Sequence, residues 1–279
     1  MGVLPYRFAL SGKPPAVSRR SNCAARAAAQ ESAAWNRRAR LELGRQNAAP
    51  QPGRAQAMKY RCMLMDIETQ ADFFLPDGSC YTPAASHAAK KIYQLFQWVR
   101  AHGIPVISTV LRVRPAEHGP MAPHPHCVDG TAGEMKLPRT ILPRRVNLGL
   151  QNTTDLPGDL FATHQQAIFE KRDTDIFAHM RLERLLTELP ATTFILCGAG
   201  LARPILQAAV GLRTRNFGVI LATDAVVDLD DPMAEMAWKR MEAKGVILAP
   251  VAEIVEPCKL KPTRPFRMAG ILHHAAPRP

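Results

Sequence analysis

Charged side chains fall where the predicted strands of this sequence end. Glu68 and Asp72 follow the first apolar run, and Lys171 follows a later one. Because the carboxyl ends of parallel strands meet at one edge of a sheet, we expect these groups to lie at a common edge. Arg112 and Arg203 are expected there too, where a helix N-terminus attracts anions. The pattern leaves two interpretations open: a site for a small carboxylate or phosphate, or arginines that pair with Glu68, Asp72 and Asp173 or face solvent.

A glycine-rich turn at 198–203 (GAGLAR) follows an apolar run and opens a predicted helix. This context is typical of dinucleotide-binding loops. The fingerprint is incomplete, because Arg203 replaces its last small residue and the turn follows a late strand. Downstream, only Asp224 lies near the place where a ribose-binding acid is required. We therefore expect no nicotinamide cofactor, and no other cofactor.

Three histidines, His118, His124 and His126, lie close together in a long loop over 111–143 that is rich in proline and histidine. A three-histidine metal site there would require the loop to fold back on itself despite its prolines. We therefore expect a lid-like loop without a metal ion.

The six cysteines are scattered, and no two of them have a CxxC spacing; they are Cys23, Cys62, Cys80, Cys127, Cys197 and Cys258. No secretory signal is recognised before them. This pattern argues against a zinc ribbon or a secreted disulfide scaffold and indicates a reducing compartment. We expect a cytoplasmic protein.

The composition is typical of a soluble globular protein, since 47% of the 279 residues are hydrophobic and 22% are charged. No apolar run reaches the ~18 residues that a membrane span needs. The net charge of +12 arises at the two ends. Residues 1–57 contain ten Lys/Arg and two acidic residues, and residues 257–279 contain five Lys/Arg and no acidic residue. Neither a membrane nor a nucleic-acid partner is therefore expected for the central domain.

These charges and the hydrophobic pattern predict three segments. Residues 58–256 form the folded domain, and residues 257–279 form a basic, proline-rich tail. Residues 1–57 form a basic extension for which three interpretations stay open: a disordered arm, sequence upstream of a true start at Met58, or a presequence.

Strands and helices alternate through the central domain. Strands are predicted near 60–66, 104–110, 166–170, 193–197, 217–222 and 246–248, and helices over 84–102, 178–189, 203–214 and 232–243. The strands are nearly continuous apolar runs, which is typical of a parallel sheet covered by helices on both faces. The sequence predicts a Rossmann-like three-layer α/β/α sandwich with a mostly parallel central sheet.

Four stretches of this domain carry a family resemblance. They are ETQADFF at 68–74, PHCVDGTAGE at 125–134, FEKRDTDIF at 169–177, and CGAGLARPI at 197–205 with TDAV at 223–226. In order and spacing they resemble the isochorismatase-like cysteine hydrolases, which include the nicotinamidases. The resemblance implies a cysteine nucleophile, an acidic residue that accepts the thiol proton, and a lysine that stabilises charge.

Matching residue by residue gives a degenerate site. Lys171 matches the family lysine, and Glu68 matches the proton acceptor, which is an aspartate in the family. Pro204 occupies the cysteine position, so the thiol and one oxyanion-hole N–H are both missing. The residues assigned to ligand binding are Asp72, Phe73, Arg112, Arg203, Gly198 and Gly200.

The resemblance offers no replacement for the missing groups. Cys197 is expected to be a small core residue, and Cys127 is expected to serve loop structure. The metal-binding Asp-x-His of nicotinamidases is also altered, because arginine and valine occupy its ligand positions in the stretch 111–118.

We interpret the chain as an isochorismatase-like protein, catalytically impaired or inactive, that binds a small anionic ligand or substrate. Two alternatives stay open. One is an active hydrolase of a small amide or enol ether, in which Glu68 or Asp66 activates water beside Lys171. The other is a non-catalytic interaction scaffold, which includes a homo-oligomer.

Overall fold

The structure, a computed structural model, describes residues 62–117 and 119–255. Within them a parallel sheet of seven strands has the order β3-β4-β2-β1-β5-β6-β7. The strands are β1 Cys62–Ile67, β2 Val106–Leu111, β3 Arg145–Asn147, β4 Gln166–Lys171, β5 Thr193–Ala199, β6 Gly218–Val227 and β7 Ile247–Ala249. The predicted segments 1–57 and 257–279 lie outside the described residues.

Helices cover both faces of the sheet. They are α1 Ala71–Phe74, α2 Pro83–His102, α3 Leu160–Thr163, α4 Met180–Glu188, α5 Leu206–Thr214, α6 Ala234–Ala243 and α7 Val251–Val255. Leu64 of β1 packs in the core beneath α2 and α7, whereas its neighbours Met63 and Met65 pack beneath α4, α5 and α6. This alternation follows from the two-residue repeat of a strand. The predicted three-layer α/β/α architecture is confirmed.

Helix α2, the longest within residues 62–117 and 119–255, shows how local residues set the boundaries of a helix. Pro83 occupies the first turn, where its missing N–H is harmless. Ile92, Phe96 and Val99 follow at helical spacing and are buried against the sheet. Gly103 ends the helix with a φ of 63°, in the left-handed region that glycine adopts without strain. None of the helices in the described ranges is long and apolar enough to cross a membrane.

The structure corrects several boundaries. The helix predicted over 203–214 begins at Leu206, because residues Leu201–Ile205 form one wider π-helical turn around Pro204. The strand predicted over 217–222 extends to Val227, with an irregularity in its pairing to β5. The short elements β3, α1, α3 and α7 were not predicted, because three to five residues are too few to show a hydrophobic period.

The register of the sheet brings the carboxyl ends of its central strands level. Ile67 at the end of β1 pairs with Thr109 of β2 and with Gly198 of β5. Leu111 at the end of β2 pairs with Lys171 at the end of β4. Residues that follow these strands therefore emerge at one edge of the sheet.

Candidate functional site

Glu68 is the first residue after β1, and its backbone departs sharply from the strand. Its φ is 55°, a left-handed value that is uncommon for residues other than glycine. The Glu68 N–H still donates to the Thr109 carbonyl at 3.1 Å, and its own carbonyl accepts from the Gln70 N–H at 2.8 Å. The side chain is fully buried. The turn therefore carries a carboxylate into the interior at the edge of the sheet.

Lys171 at the end of β4 forms a buried ion pair with Glu68. The Lys171 Nζ also donates to the backbone carbonyls of Asp173 and Thr174. Glu68 Oε1 receives the lysine, whereas Oε2 has no hydrogen-bond partner among the described residues. Burial raises the pKa of Glu68, and the charge of Lys171 opposes that rise in part. The pair has the composition of an acid–base site with one oxygen still able to accept a proton.

Asp66 belongs to a different ion pair. Its side chain contacts Lys136, and its Oδ2 also accepts from Ser108 Oγ at 2.9 Å. Lys136 donates in addition to Thr69 Oγ1 at 2.6 Å. Since Asp66 pairs with Lys136, Glu68 is the carboxylate that contacts Lys171. Lys136 was missed in the sequence because nothing in its surroundings marks it as a partner of β1.

Asp72 and Phe73 of α1 hold the surrounding loops. The Asp72 carboxylate accepts the N–H of Cys127 at 2.6 Å and that of Ser79 at 3.1 Å. Phe73 is fully buried, with its ring centroid 5.6 Å from that of His126. Their contacts in the structure are with the protein itself. The ligand-binding role predicted for them stays a prediction.

Pro204 lies at the expected edge, in the turn between β5 and α5. The N–H groups of Arg203 and Ile205 both donate to the Gly200 carbonyl at 3.2 Å, so the turn closes without a donor at Pro204. Gly200 has a φ of 78°. Gly198 has a φ of 132°, and a Cβ there would lie 1.8 Å from the Ile67 carbonyl oxygen. Glycine is therefore required at Gly198 for the approach of two backbones.

A loop from the predicted lid approaches Gly200. A Cβ on Gly200 would lie 2.7 Å from both Met121 Sδ and Pro204 Cγ, so both side chains lie close to the glycine. The Met121 N–H donates to His126 Nε2 at 3.3 Å, and His126 Nδ1 lies 2.7 Å from the His124 carbonyl. Burial lowers the pKa of His126, which favours the neutral ring that can accept this hydrogen bond. Met121 and Pro204 therefore both border Gly200, and the assignment of Pro204 to the nucleophile position stays a prediction.

The candidate anion-binding arginines have carboxylate partners. Arg112 contacts Asp129 at 3.0 Å and Glu134 at 3.1 Å. Arg203 contacts Asp231 at 3.2 Å, with more than half of the arginine side chain exposed. The structure shows ion pairs for both arginines, which is one of the two outcomes that the sequence left open. Their partners are Asp129, Glu134 and Asp231, and not the expected Glu68, Asp72 and Asp173.

Two cysteines lie near the two ion pairs. Burial strongly raises the pKa of Cys127, and the charges of Glu68 and Asp72 raise it further. Burial also strongly raises the pKa of Cys197, with a smaller contribution from Asp66. A high pKa keeps a thiol protonated and weakly nucleophilic at neutral pH.

The residues present do not fit the metal ion that nicotinamidases hold. Over residues 62–117 and 119–255, no three His, Cys, Asp or Glu side chains are arranged to ligate a cation. Both nitrogens of His126 have hydrogen-bond partners in its own loop, the Met121 N–H and the His124 carbonyl. The Arg112 guanidinium adds a positive charge close to Glu134. No step of the chemistry below therefore involves a metal.

An open cavity of about 370 Å³ borders Lys171. It lies between the end of β4 and the segment before α4, and no motif in the sequence indicates it. Its lining residues are Arg114, Leu150, Asn152, Glu170, Lys171, Arg172, Asp173, Ala178 and His179.

Comparison with known proteins identifies the family. The model of the isochorismatase domain matches residues 62–253, which include all seven strands described above. This chain belongs to the isochorismatase family. A search of curated protein sequences finds no match.

Solved structures share the fold at low sequence identity. Nicotinamidase PncA from Bacillus subtilis is 23% identical, with a TM-score of 0.52 over 68% of this chain and 99% of that one. N-carbamoylsarcosine amidase from Thermoplasma acidophilum is 18% identical, with a TM-score of 0.52 over 69% and 98%. An isochorismatase family protein from Desulfovibrio vulgaris is 20% identical, with a TM-score of 0.54 over 70% and 96%. These similarities establish the α/β fold.

Proposed function

We propose that this isochorismatase-family protein does not hydrolyse amides through a cysteine and instead binds a small anionic ligand at the carboxyl edge of its sheet. The observation that carries the proposal is Pro204, buried at the position where the family resemblance expects the nucleophile. Proline supplies neither a thiol nor a backbone N–H. Loss of a covalent nucleophile lowers kcat by about a millionfold in a well-studied hydrolase.

The rest of the site supports the same conclusion. Met121 Sδ and Pro204 Cγ both lie close to Gly200, so little free space is left beside the glycine of this turn. Cys127 and Cys197 have raised pKa values, so neither presents a ready thiolate in place of the missing one. What persists of the predicted triad is the Glu68–Lys171 pair.

The experiment is an assay of ammonia release from small amides, including nicotinamide. We expect the full-length protein to release no ammonia above the buffer rate. Cys127→Ala and Cys197→Ala variants serve as controls. Hydrolysis by the wild type that disappears in either cysteine variant would contradict the proposal, because it would reveal a second thiol nucleophile.

A second candidate function is direct activation of water by Glu68. The observation in its favour is the buried Glu68 Oε2, which has no partner in the described structure and can accept a proton from water. Lys171 would stabilise the negative charge that develops. Amide hydrolysis that survives both cysteine substitutions and is lost in Glu68→Gln would establish this function over the first.

The state of the cysteines bears on the cellular compartment that we propose for this protein. The four cysteines in the described residues, Cys62, Cys80, Cys127 and Cys197, carry free thiols, which supports a reducing compartment such as the cytoplasm. Self-association and a scaffold role stay predictions, and measurement of the oligomeric state by light scattering tests the first.

A further inference from the structure

One face of the domain is built from two parts of the chain that contain no acidic residue. No aspartate or glutamate occurs over 78–116, which includes α2 and β2, or over 135–154. The two parts meet where Arg139 Cζ lies over the Tyr93 ring of α2, 5.2 Å from the ring centroid. Positive charge on this face is therefore not neutralised by neighbours in the sequence.

Four exposed cations lie on this face, and we call them the basic strip: Lys90, Arg100, Arg139 and Arg144. Lys90 and Arg100 lie on the same side of α2 as Tyr93, at spacings of three and seven residues. At 1.5 Å per residue, the part of the strip on α2 is about 15 Å long.

Gln165 holds Arg144 beside the carboxyl end of α2. Its side-chain Nε2 donates to the Val99 carbonyl at 2.9 Å, and its backbone N–H donates to the Arg144 carbonyl at 2.7 Å. Arg144 therefore extends the strip beyond Arg100, which follows Val99 in the helix.

The strip cations have no carboxylate partner within residues 62–117 and 119–255. Arg112, Arg172 and Arg203, by contrast, each contact a carboxylate. Lys91, on the opposite flank of α2, pairs with Asp224 at 3.0 Å. The guanidinium groups of the strip therefore keep their N–H donors for a partner.

The charged N-terminal residues join the domain at the same end. Residues 1–57 contain ten Lys/Arg and two acidic residues. The chain enters β1 at Cys62, and the Leu64 N–H donates at 3.1 Å to the carbonyl of Pro105, just beyond α2. The positive charge of the strip and that of the N-terminal residues are thus attached near one another.

The chemistry of the strip fits a chain of phosphates. Binding to a lipid surface requires an apolar face beside the charges, and protein interfaces bury large apolar side chains at their centre. Neither α2 nor the segment 138–145 exposes such a side chain. Within the described residues the exposed large apolar side chains are Leu75, Met135, Met180, Met233 and Met236. Arginine, whose planar fork matches a phosphate, is typical of polar, positively charged interfaces with nucleic acids.

We propose that the basic strip binds the phosphodiester backbone of a nucleic acid. Contacts to phosphates carry no sequence information, so binding is expected without base specificity. The sequence-based expectation of no nucleic-acid partner rests on the charge of the whole central domain, which averages this face with acidic regions elsewhere. The inference goes beyond the proposed function, because no residue of the strip belongs to the candidate site.

The test is fluorescence anisotropy of labelled single-stranded RNA and DNA of one sequence, with the full-length protein over a range of salt concentrations. Arg100→Gln, Arg144→Gln removes two cations of the strip. Arg240→Gln, Lys244→Gln, at the end of α6, removes two other exposed cations and is the matched control. The N-terminal and C-terminal charges are the same in both variants, so the comparison isolates the strip.

We expect the strip variant to bind about tenfold more weakly at low salt, because it loses two charged hydrogen-bond donors. We also expect the slope of log affinity against log salt to fall by about 1.4, since each phosphate contact to a single strand contributes about 0.7. The control variant is expected to leave the slope unchanged.

A second pair of variants adds charge instead of removing it. Gln97→Glu places a carboxylate in the middle of the strip, and we expect it to weaken binding about threefold at low salt. Gln207→Glu, at an exposed position on α5, is its control and is expected to leave the affinity unchanged. Both substitutions are at the surface, and equal melting temperatures will show that the fold is kept.

Strip-dependent binding of RNA, of DNA or of both supports the proposal, and the comparison of the two shows which backbone is preferred. Absence of binding by the wild type would overturn it. Equal losses in the strip and control variants would overturn it as well, since they would reflect net charge alone. Strip-dependent binding of phosphatidylserine vesicles or polyglutamate, without such binding of nucleic acid, would assign the face to a different class of partner and also overturn the proposal.

Discussion

At the scale of single residues, the site depends on an acidic side chain held where burial disfavours its charge. Glu68 combines a left-handed φ of 55° with a fully buried carboxylate. Such a backbone conformation costs on the order of 1–3 kcal/mol. It persists because Gln70, two residues on, is hydrogen-bonded through both side-chain atoms to the Leu111 backbone. Strand β2 therefore anchors the turn that presents Glu68 to Lys171.

We expect Lys171→Met to lower the free energy of unfolding by about 3 kcal/mol, because it leaves the Glu68 carboxylate buried without its partner. The measurement is urea unfolding followed by circular dichroism. The double variant Lys171→Met, Glu68→Gln is expected to recover a large part of this loss. Lys239→Met, which removes an exposed pair with Glu235, is the control and should cost less than about 1 kcal/mol. Equal effects of the two lysine substitutions would contradict this expectation.

The pH dependence of stability tests the state of Glu68. Burial raises its folded pKa above the ordinary value of 4.5, so the folded protein holds this proton to a higher pH than the unfolded chain does. The resulting stabilisation is complete below the unfolded pKa and is lost as pH rises through the folded pKa. We therefore expect the stability of the wild type relative to Glu68→Gln to fall as pH rises above about 4.5. A difference that stays constant or rises would show that the pKa is not raised.

The sequence identified one ion pair of the site and missed the other. Glu68 and Lys171 were brought together by two separate motifs of the family resemblance, each at a strand end. Lys136 lies 70 residues from Asp66 in a loop without periodicity, so only the folded chain shows that it reaches β1. The cavity with His179 was missed for the same reason, since long-range packing creates it.

At the scale of elements, the turn between β5 and α5 accommodates Pro204, which we propose occupies the nucleophile position of the family. The sequence predicted the strand, the glycine turn and the helix, because the apolar runs and the glycines are local signals. It placed the helix start at 203, whereas the helix begins at Leu206 after the π-helical turn. The wider turn could not be predicted, because it depends on the Gly200 carbonyl accepting from two N–H groups.

The close approach of β1 to this turn gives a sharp prediction. Gly198→Ala is expected to lower the free energy of unfolding by at least about 2 kcal/mol, from backbone strain and from a clash with the Ile67 carbonyl. Gly158→Ala is the control, because a Cβ there meets nothing within 4 Å. Thermal unfolding measures both. Equal melting temperatures for the two variants would show that β1 and β5 can separate without cost.

At the scale of the whole molecule, the central domain contains every element that positions the site. The family match covers residues 62–253, and the seven strands lie between Cys62 and Ala249. The excess positive charge lies instead in residues 1–57 and 257–279. The fold class was predictable because alternating apolar strands and amphipathic helices report it directly. The cavity beside Lys171 was not predictable, because side chains from four separate segments line it.

A protein that begins at Met58 is expected to melt within experimental error of the full chain, since the matched domain lies downstream of that residue. Differential scanning calorimetry of the two proteins at equal concentration makes the comparison. A clear fall in melting temperature would place residues 1–57 among the stabilising parts of the molecule and would move the predicted domain boundary.

The central claim is that Pro204 occupies the nucleophile position of a site whose other parts persist. The most direct measurement is the rate of iodoacetamide labelling at position 204 in the double variant Pro204→Cys, Glu68→Asp, mapped by peptide mass spectrometry. Cys80, a half-buried thiol whose pKa burial raises, is the internal control. Because Lys171 and the start of a helix both lower a thiol pKa, we predict faster labelling at position 204 than at Cys80 near neutral pH, and slower labelling when Lys171→Met is added. Labelling at position 204 that is no faster than at Cys80, or that is unaffected by the loss of Lys171, would contradict the account.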